Sequence, residues 1–371
     1  MKKELKESLK KKIYWPYCVY REFARLKADR QQFWQDAVFS FNVEKPKHGS
    51  LSDYKRALAK HRITYREYMY LYEYWRFDEK KRNEFISESE MRCIYRKTVK
   101  KSISRIIDNK YQALMVFGKY VQRRWLYVPK ASFESFCEFV NSVDCLAKPI
   151  YGYLGRGIVK IKKNEEKDLK ELYANCCENN MVLEECVRSI KDLEEFHPQS
   201  LNTIRVMTVS KGRDCKMLGA MFRMGVGDSF VDNSSSGGVF ASIDLETGEL
   251  LTDGYDKYGK TYKLHPDTAK PIKGFVIPYW ENVKGFCGEL TSVVPKLVFA
   301  GWDLRVCPGG EIELIEGNSA PNVYGGLQAP LKKGLKPMLS AAGKEFLDYD
   351  PLKLISIWSK SYVNLEERCS L

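Results

Sequence analysis

Two carboxylates and an amide near the C-terminal end of the chain have the types and spacing to hold a hard metal ion. Within 299–318, two strand-like runs flank Pro308-Gly309-Gly310 and read as a hairpin. A two-residue turn at Gly309-Gly310 sets Asp303 directly opposite Glu316. Strand alternation puts Asn318 on the face of Glu316, with Leu314 and Ile312 continuing that row toward the core. Magnesium takes oxygen ligands at about 2.1 Å, commonly one or two carboxylates with water and phosphate completing the shell. Asp303, Glu316 and Asn318 fit that demand, although a solvated surface hairpin would carry the same acids.

Upstream residues suit an anion. Ala147-Lys148-Pro149 ends a strand and opens Tyr151-Gly152-Tyr153-Leu154-Gly155-Arg156-Gly157, followed by a strand near Ile158. Gly152, Gly155 and Gly157 let backbone N–H groups approach phosphate oxygens, and Lys148 supplies a point charge to the same anion. The G-x-x-x-x-G-K-[ST] phosphate loop is absent, and a glycine-rich hairpin alone is as readily a tight turn. Met181 to Val187 is an apolar strand ending in Glu184 and Glu185, able to wall an adenine pocket or to pair with a nearby lysine as a plain sheet strand.

These residues need a β-rich scaffold, and the chain supplies one after roughly Ile107. Leu126-Tyr127-Val128, Cys145 to Lys148 and Thr203 to Val209 are β-type runs with helices between them, an α+β pattern. Before that point, Tyr65, Tyr68, Met69, Tyr72 and Trp75 recur at helical spacing, so the N-terminal part is expected to be helical, with its aromatics packed in a core rather than stacking on bases. The chain of 371 residues divides into a helical basic domain (1–105), a lobe with the glycine-rich loop and hinge strand (106–200) and a C-terminal lobe with the metal residues (201–371). Net charge is +13, and residues 1–100 hold 25 Lys and Arg against 14 Asp and Glu. Such a segment suits an anionic membrane, an acidic glycan or nucleic acid, or is simply a solvated surface. No stretch approaches the roughly 18 apolar residues of a membrane-spanning helix, which gives a cytoplasmic expectation. The 11 cysteines contain no C-x-x-C pair, and four histidines are too few for an evident zinc or catalytic-triad arrangement.

The order of these elements resembles the ATP-grasp superfamily of carboxylate–amine ligases: a lysine with a glycine-rich loop, an acidic hinge strand, then Asp followed by Glu-x-Asn. The match covers about 107–328. More narrowly, Pro198 to Arg205, Gly301-Trp302-Asp303 and Glu316-Gly317-Asn318 look like the sugar-transfer-associated ATP-grasp branch, found among glycan-assembly enzymes.

The resemblance implies two α+β lobes clasping ATP, with magnesium, two ions in the usual case. It makes Lys110, in Asp108-Asn109-Lys110, the first nucleotide lysine, with Lys119 as a rival, and Lys148 the second. Glu184 would contact the adenine amino group, the backbone near Val187 would read the adenine edge beside Glu185, and Asn202 would lie near the ribose. Arg205, Arg223 and Asn233 would face the substrates. Arg223, with the N–H groups of Gly237 and Gly238, would stabilise the tetrahedral oxyanion after a carboxylate has been activated as an acylphosphate. The partners implied are a carboxylate and an amine, free or glycan-linked, in surface polysaccharide assembly. No specific nucleic acid is implied, and the basic N-terminus is expected to touch the inner membrane face. A kinase acting on a hydroxyl would share the ATP site, and a basic glycan- or nucleic-acid-binding protein would share the charge.

Overall fold

The computed structural model describes residues 51–355, apart from 65–66, 153–156, 164, 166–167, 213 and 322–323. Most of the basic N-terminal excess, and with it the membrane-docking reading, lies outside the described residues, as does Gly155.

Two antiparallel sheets dominate. The smaller has the order β1-β4-β2-β3, from Trp125–Tyr127 (β1), Cys145–Pro149 (β2), Val159–Ile161 (β3) and Met181–Glu185 (β4). Helices Phe133–Ser142 and Leu169–Glu178 bury Phe136, Val140 and Cys176 with Cys145, Ala147 and Leu183. Each of these helices starts where a side chain satisfies free backbone N–H groups: Ser132 accepts from Ser135, and Asp168 from Lys170 and Glu171.

The larger sheet has the order β11-β10-β5-β6-β7-β8-β9, from Ile204–Lys211 (β5), Asp214–Met224 (β6), Val239–Ile243 (β7), Gly254–Tyr255 (β8), Thr261–Tyr262 (β9), Phe299–Val306 (β10) and Ile312–Asn318 (β11). Alternation sorts its side chains. Val206, Phe222, Trp302, Leu304, Ile312 and Leu314 share one core with the helix Trp280–Val293. On the other face, Met207, Val209 and Phe299 form a second core, while Arg205 and Arg223 continue the same rows into a cleft, with Asp303 buried against Arg205.

The second core is completed by Ile86, Met91, Ile94 and Tyr95. The boundary drawn at residue 105 is therefore not where packing changes, because the helix Glu88–Thr98 supplies part of the large lobe's interior. Its start is fixed by a capping box, in which Ser87 accepts from Glu90 N while the Glu90 carboxylate accepts from Ser87 N. The aromatic stripe packs as a core: Tyr68, Tyr72 and Tyr74 are fully buried with Phe85. It runs through a π-turn at Glu67–Leu71 and a 3-10 turn at Tyr74–Arg76 rather than one continuous α-helix. Among the described residues no helix is long and apolar enough to cross a membrane.

Candidate active site

A cleft of about 660 Å³ opens between the two sheets. Lys110, Lys148, Glu184, Arg223, Glu316 and Asn318 all line it, although they come from places far apart in the sequence.

Asp303 pairs with Glu316, as the sequence register required, but by a different route. The turn is a three-residue loop, with Cys307 N donating to Glu311 O at 2.8 Å and Gly310 in the left-handed region at φ 91°. That shifts the pairing near the turn, so Leu304 meets Leu314, and a β-bulge at Ile315 brings Asp303 back opposite Glu316. The bulge also corrects the facing. Leu314 and Ile312 belong to the apolar core on the side opposite Glu316, not to its row.

Glu316 is partly exposed and its Oε1 lies 3.3 Å from Lys110 Nζ. The Asn318 side-chain nitrogen is buried with no hydrogen-bond partner. The Glu316 carboxylate and the amide oxygen of Asn318, two residues on along the strand and lining the same cleft, are oxygen donors of the kind magnesium takes, whereas the unpartnered Asn318 nitrogen can only donate a hydrogen bond. Asp303 is arranged differently. Arg205 grips both its oxygens, and Arg223 approaches to 3.1 Å. Burial by itself would raise the Asp303 carboxyl, but the two guanidinium groups hold it below the usual carboxylate range. Its lone pairs thus face arginines rather than an open metal position, a correction to the three-ligand set drawn from the sequence.

Lys110 opens the helix Lys110–Val116, which is capped by Asn109. Its amide donates to Ile150 O at 2.9 Å and its Nζ to Gly152 O at 3.2 Å, tying the helix to the glycine-rich loop. Lys119, the rival, is exposed and lies over the Tyr120 ring, away from the cleft. Gly157 takes a positive φ beside Pro149 and serves the turn of the loop.

Glu184 is buried, and its Oε2 accepts from Lys148 Nζ at 2.9 Å and from Arg123 Nε at 2.6 Å. Burial favours the neutral acid, yet Arg123 and Lys148 prevail and bring it down to about 2. Its carboxylate is occupied by cations, so the adenine contact expected from the sequence is not set up in this arrangement. Glu185 points away and pairs with Arg124.

Arg123 carries no sequence signal beyond its place ahead of β1. Besides Glu184, it donates to Glu313 Oε1 at 2.8 Å, to Leu314 O at 2.8 Å and to Ile315 O at 2.9 Å. It thereby joins the hinge strand to the bulge that aims Glu316. Arg305 holds the other Glu313 oxygen.

Arg223 donates to Thr203 Oγ1, and Asp232 lies 3.5 Å from it. Asn233 lines the cleft. The Gly237 and Gly238 N–H groups are already satisfied, donating to Ser234 O at 3.2 Å and Asn233 O at 3.1 Å, so they are not free to serve an oxyanion as expected. Asn202 is another correction. It is fully buried at φ 53°, with its amide donating to Leu193 O and His197 O, and it shapes the turn into β5 rather than lining the cleft. Val187, half-buried, is not among the cleft-lining residues.

A family model described as sugar-transfer associated ATP-grasp matches residues 91–344. The chain belongs to this family and has the ATP-grasp fold. Among solved structures it is similar to the ADP complex of purK, an N5-carboxyaminoimidazole ribonucleotide synthetase (12% identity, 59% of this chain and 46% of that one, TM-score 0.39). It is also similar to the ATP-grasp ligase PsnB with minimal precursor, Mg and ADP (14%, 71% and 62%, TM-score 0.40), and to an L-amino acid ligase from Bacillus licheniformis (12%, 69% and 48%, TM-score 0.36). The chain spans less than two thirds of the length of each of these structures. No curated protein matches it.

Proposed function

We propose that this chain is an ATP- and magnesium-dependent carboxylate–amine ligase acting on a sugar, sugar acid or glycan precursor in surface polysaccharide assembly. One observation carries the reading: Lys110, Lys148, Glu316, Asn318, Arg223 and Asn233 line a single cleft between two sheets. The family's sugar-transfer association supports the glycan assignment.

Lys110 and Lys148 would bind the phosphates of ATP, with Lys148 leaving Glu184 to do so while Arg123 keeps that carboxylate compensated. Glu316 and Asn318 would hold magnesium, which neutralises charge on the phosphate oxygens when bound. Asp303 would fix the directions of Arg205 and Arg223 rather than coordinate the metal. A substrate carboxylate oxygen attacks the γ-phosphorus and ADP leaves. The amine nitrogen then attacks the carbonyl carbon, Arg223 faces the oxyanion, and phosphate departs as the C–O bond breaks.

Hydroxylamine added during turnover with candidate acids should yield a hydroxamate with release of ADP. Formation of a stable phosphate ester without inorganic phosphate would identify a kinase and overturn the reading.

A further inference from the structure

The cleft extends beyond the groups that the reaction uses. Glu88, Arg92, Tyr95 and Arg96 of the helix Glu88–Thr98 line it, and their spacing of four, three and one residues places them on one helical face. Tyr95 anchors that face. It is buried, its hydroxyl donates to Pro321 O at 3.0 Å, and its ring meets Phe299 edge-on at 5.9 Å. Arg92 and Arg96, one turn apart, are thereby held at the cleft wall.

The buried arginines are compensated within the protein, Arg205 by Asp303 and Arg223 by Asp303 and Asp232. The wall is only partly compensated. Among the described residues Arg92 pairs with Glu88 while 63% of its side chain stays exposed, and Arg96 makes no ion pair. Lys257, from the turn between β8 and β9, lines the same cleft. Glu316, Asp303, Arg205 and Arg223 stand on four successive strands, a span of roughly 14 Å at about 4.8 Å per step. There is room for a second molecule beside a nucleotide held by Lys110 and Lys148, and guanidinium forks match the oxygens of phosphate and carboxylate.

We propose that Arg92 and Arg96 form an anion subsite for the substrate other than ATP. That substrate then carries an anionic group, a phosphate ester or an additional carboxylate, besides the group that reacts. The inference rests on the ligase reading and narrows its substrate class.

The test is calorimetric titration of the full chain, saturated with Mg-AMPPNP at low ionic strength, with inorganic phosphate in one arm and succinate in the other. Binding of at least one anion is expected, weakened tenfold or more by the double substitution R92Q/R96Q, with Mg-AMPPNP affinity within twofold of the parent. Stronger binding of phosphate assigns a phosphate ester, and stronger binding of succinate a carboxylate. Should the double variant not fold, R96Q alone must weaken the anion at least threefold. Equal anion binding by parent and variant, or none by the parent, overturns the subsite. Failure of the parent to bind Mg-AMPPNP overturns the ligase reading instead.

Discussion

Arg123 shows what a single side chain decides here. Its guanidinium satisfies two buried carboxylates and two backbone carbonyls, and those carboxylates lie 61 and 190 residues away. Replacement by Met leaves Glu184 to Lys148 alone and Glu313 to Arg305 alone, and removing one partner from a buried ionic cluster costs up to about 3–5 kcal/mol. Denaturant unfolding of R123M should show a loss of that size, together with weaker nucleotide binding as the bulge loses its anchor. Arg223→Gln should lower kcat by on the order of 10²-fold, as the loss of an oxyanion donor does, while ATP affinity is retained. Glu67 gives a pH signature. Buried beneath Thr64 and Glu88 backbone N–H groups, its carboxyl is pushed up to about 7 by burial, against their hydrogen bonds. A raised folded-state value means its stabilising contribution is full below about 4.5 and is lost as pH rises toward 7. Glu67→Gln should flatten thermal stability across that window, and an unchanged slope would refute the assignment.

At the scale of elements, the β10–β11 hairpin places the metal residues. Alternating apolar residues and the Pro-Gly-Gly turn made the hairpin and the Asp303–Glu316 pairing readable in the sequence. The three-residue loop and the compensating bulge were not readable, because they cancel in the count of residues and because Arg123, which donates to the carbonyls at the bulge, comes from another segment. Gly310 takes a φ of 91°, and a Cβ there would meet the Tyr279 ring at 2.5 Å. Gly310→Ala should therefore cost about 1–3 kcal/mol, measurable by denaturant unfolding, since both backbone strain and a clash oppose it. The glycine-rich loop is tied through Gly152 to Lys110, so the first lysine and the loop share one position.

At the scale of the whole molecule, the cleft exists because two sheets meet and the helix Glu88–Thr98 closes one wall. That helix contributes Met91, Ile94 and Tyr95 to the large lobe's second core. A chain beginning at residue 106 should consequently lose cooperative unfolding, as followed by calorimetry. A sharp native-like transition would show the N-terminal helices to be dispensable.

Sequence by itself determined the order of the motifs, the strands that carry Lys148, Glu184, Arg205, Asp303 and Glu316, and through them the family, since strand periodicity and glycine-rich turns are local properties of the chain. Tertiary structure alone decided which charges meet. It gave Asp303 to two arginines, Glu184 to Lys148 and Arg123, and the Gly237 and Gly238 amides to their own loop. Each buried ionic or polar group takes the best partner within reach after packing, and that choice depends on distances in space that residue spacing does not encode.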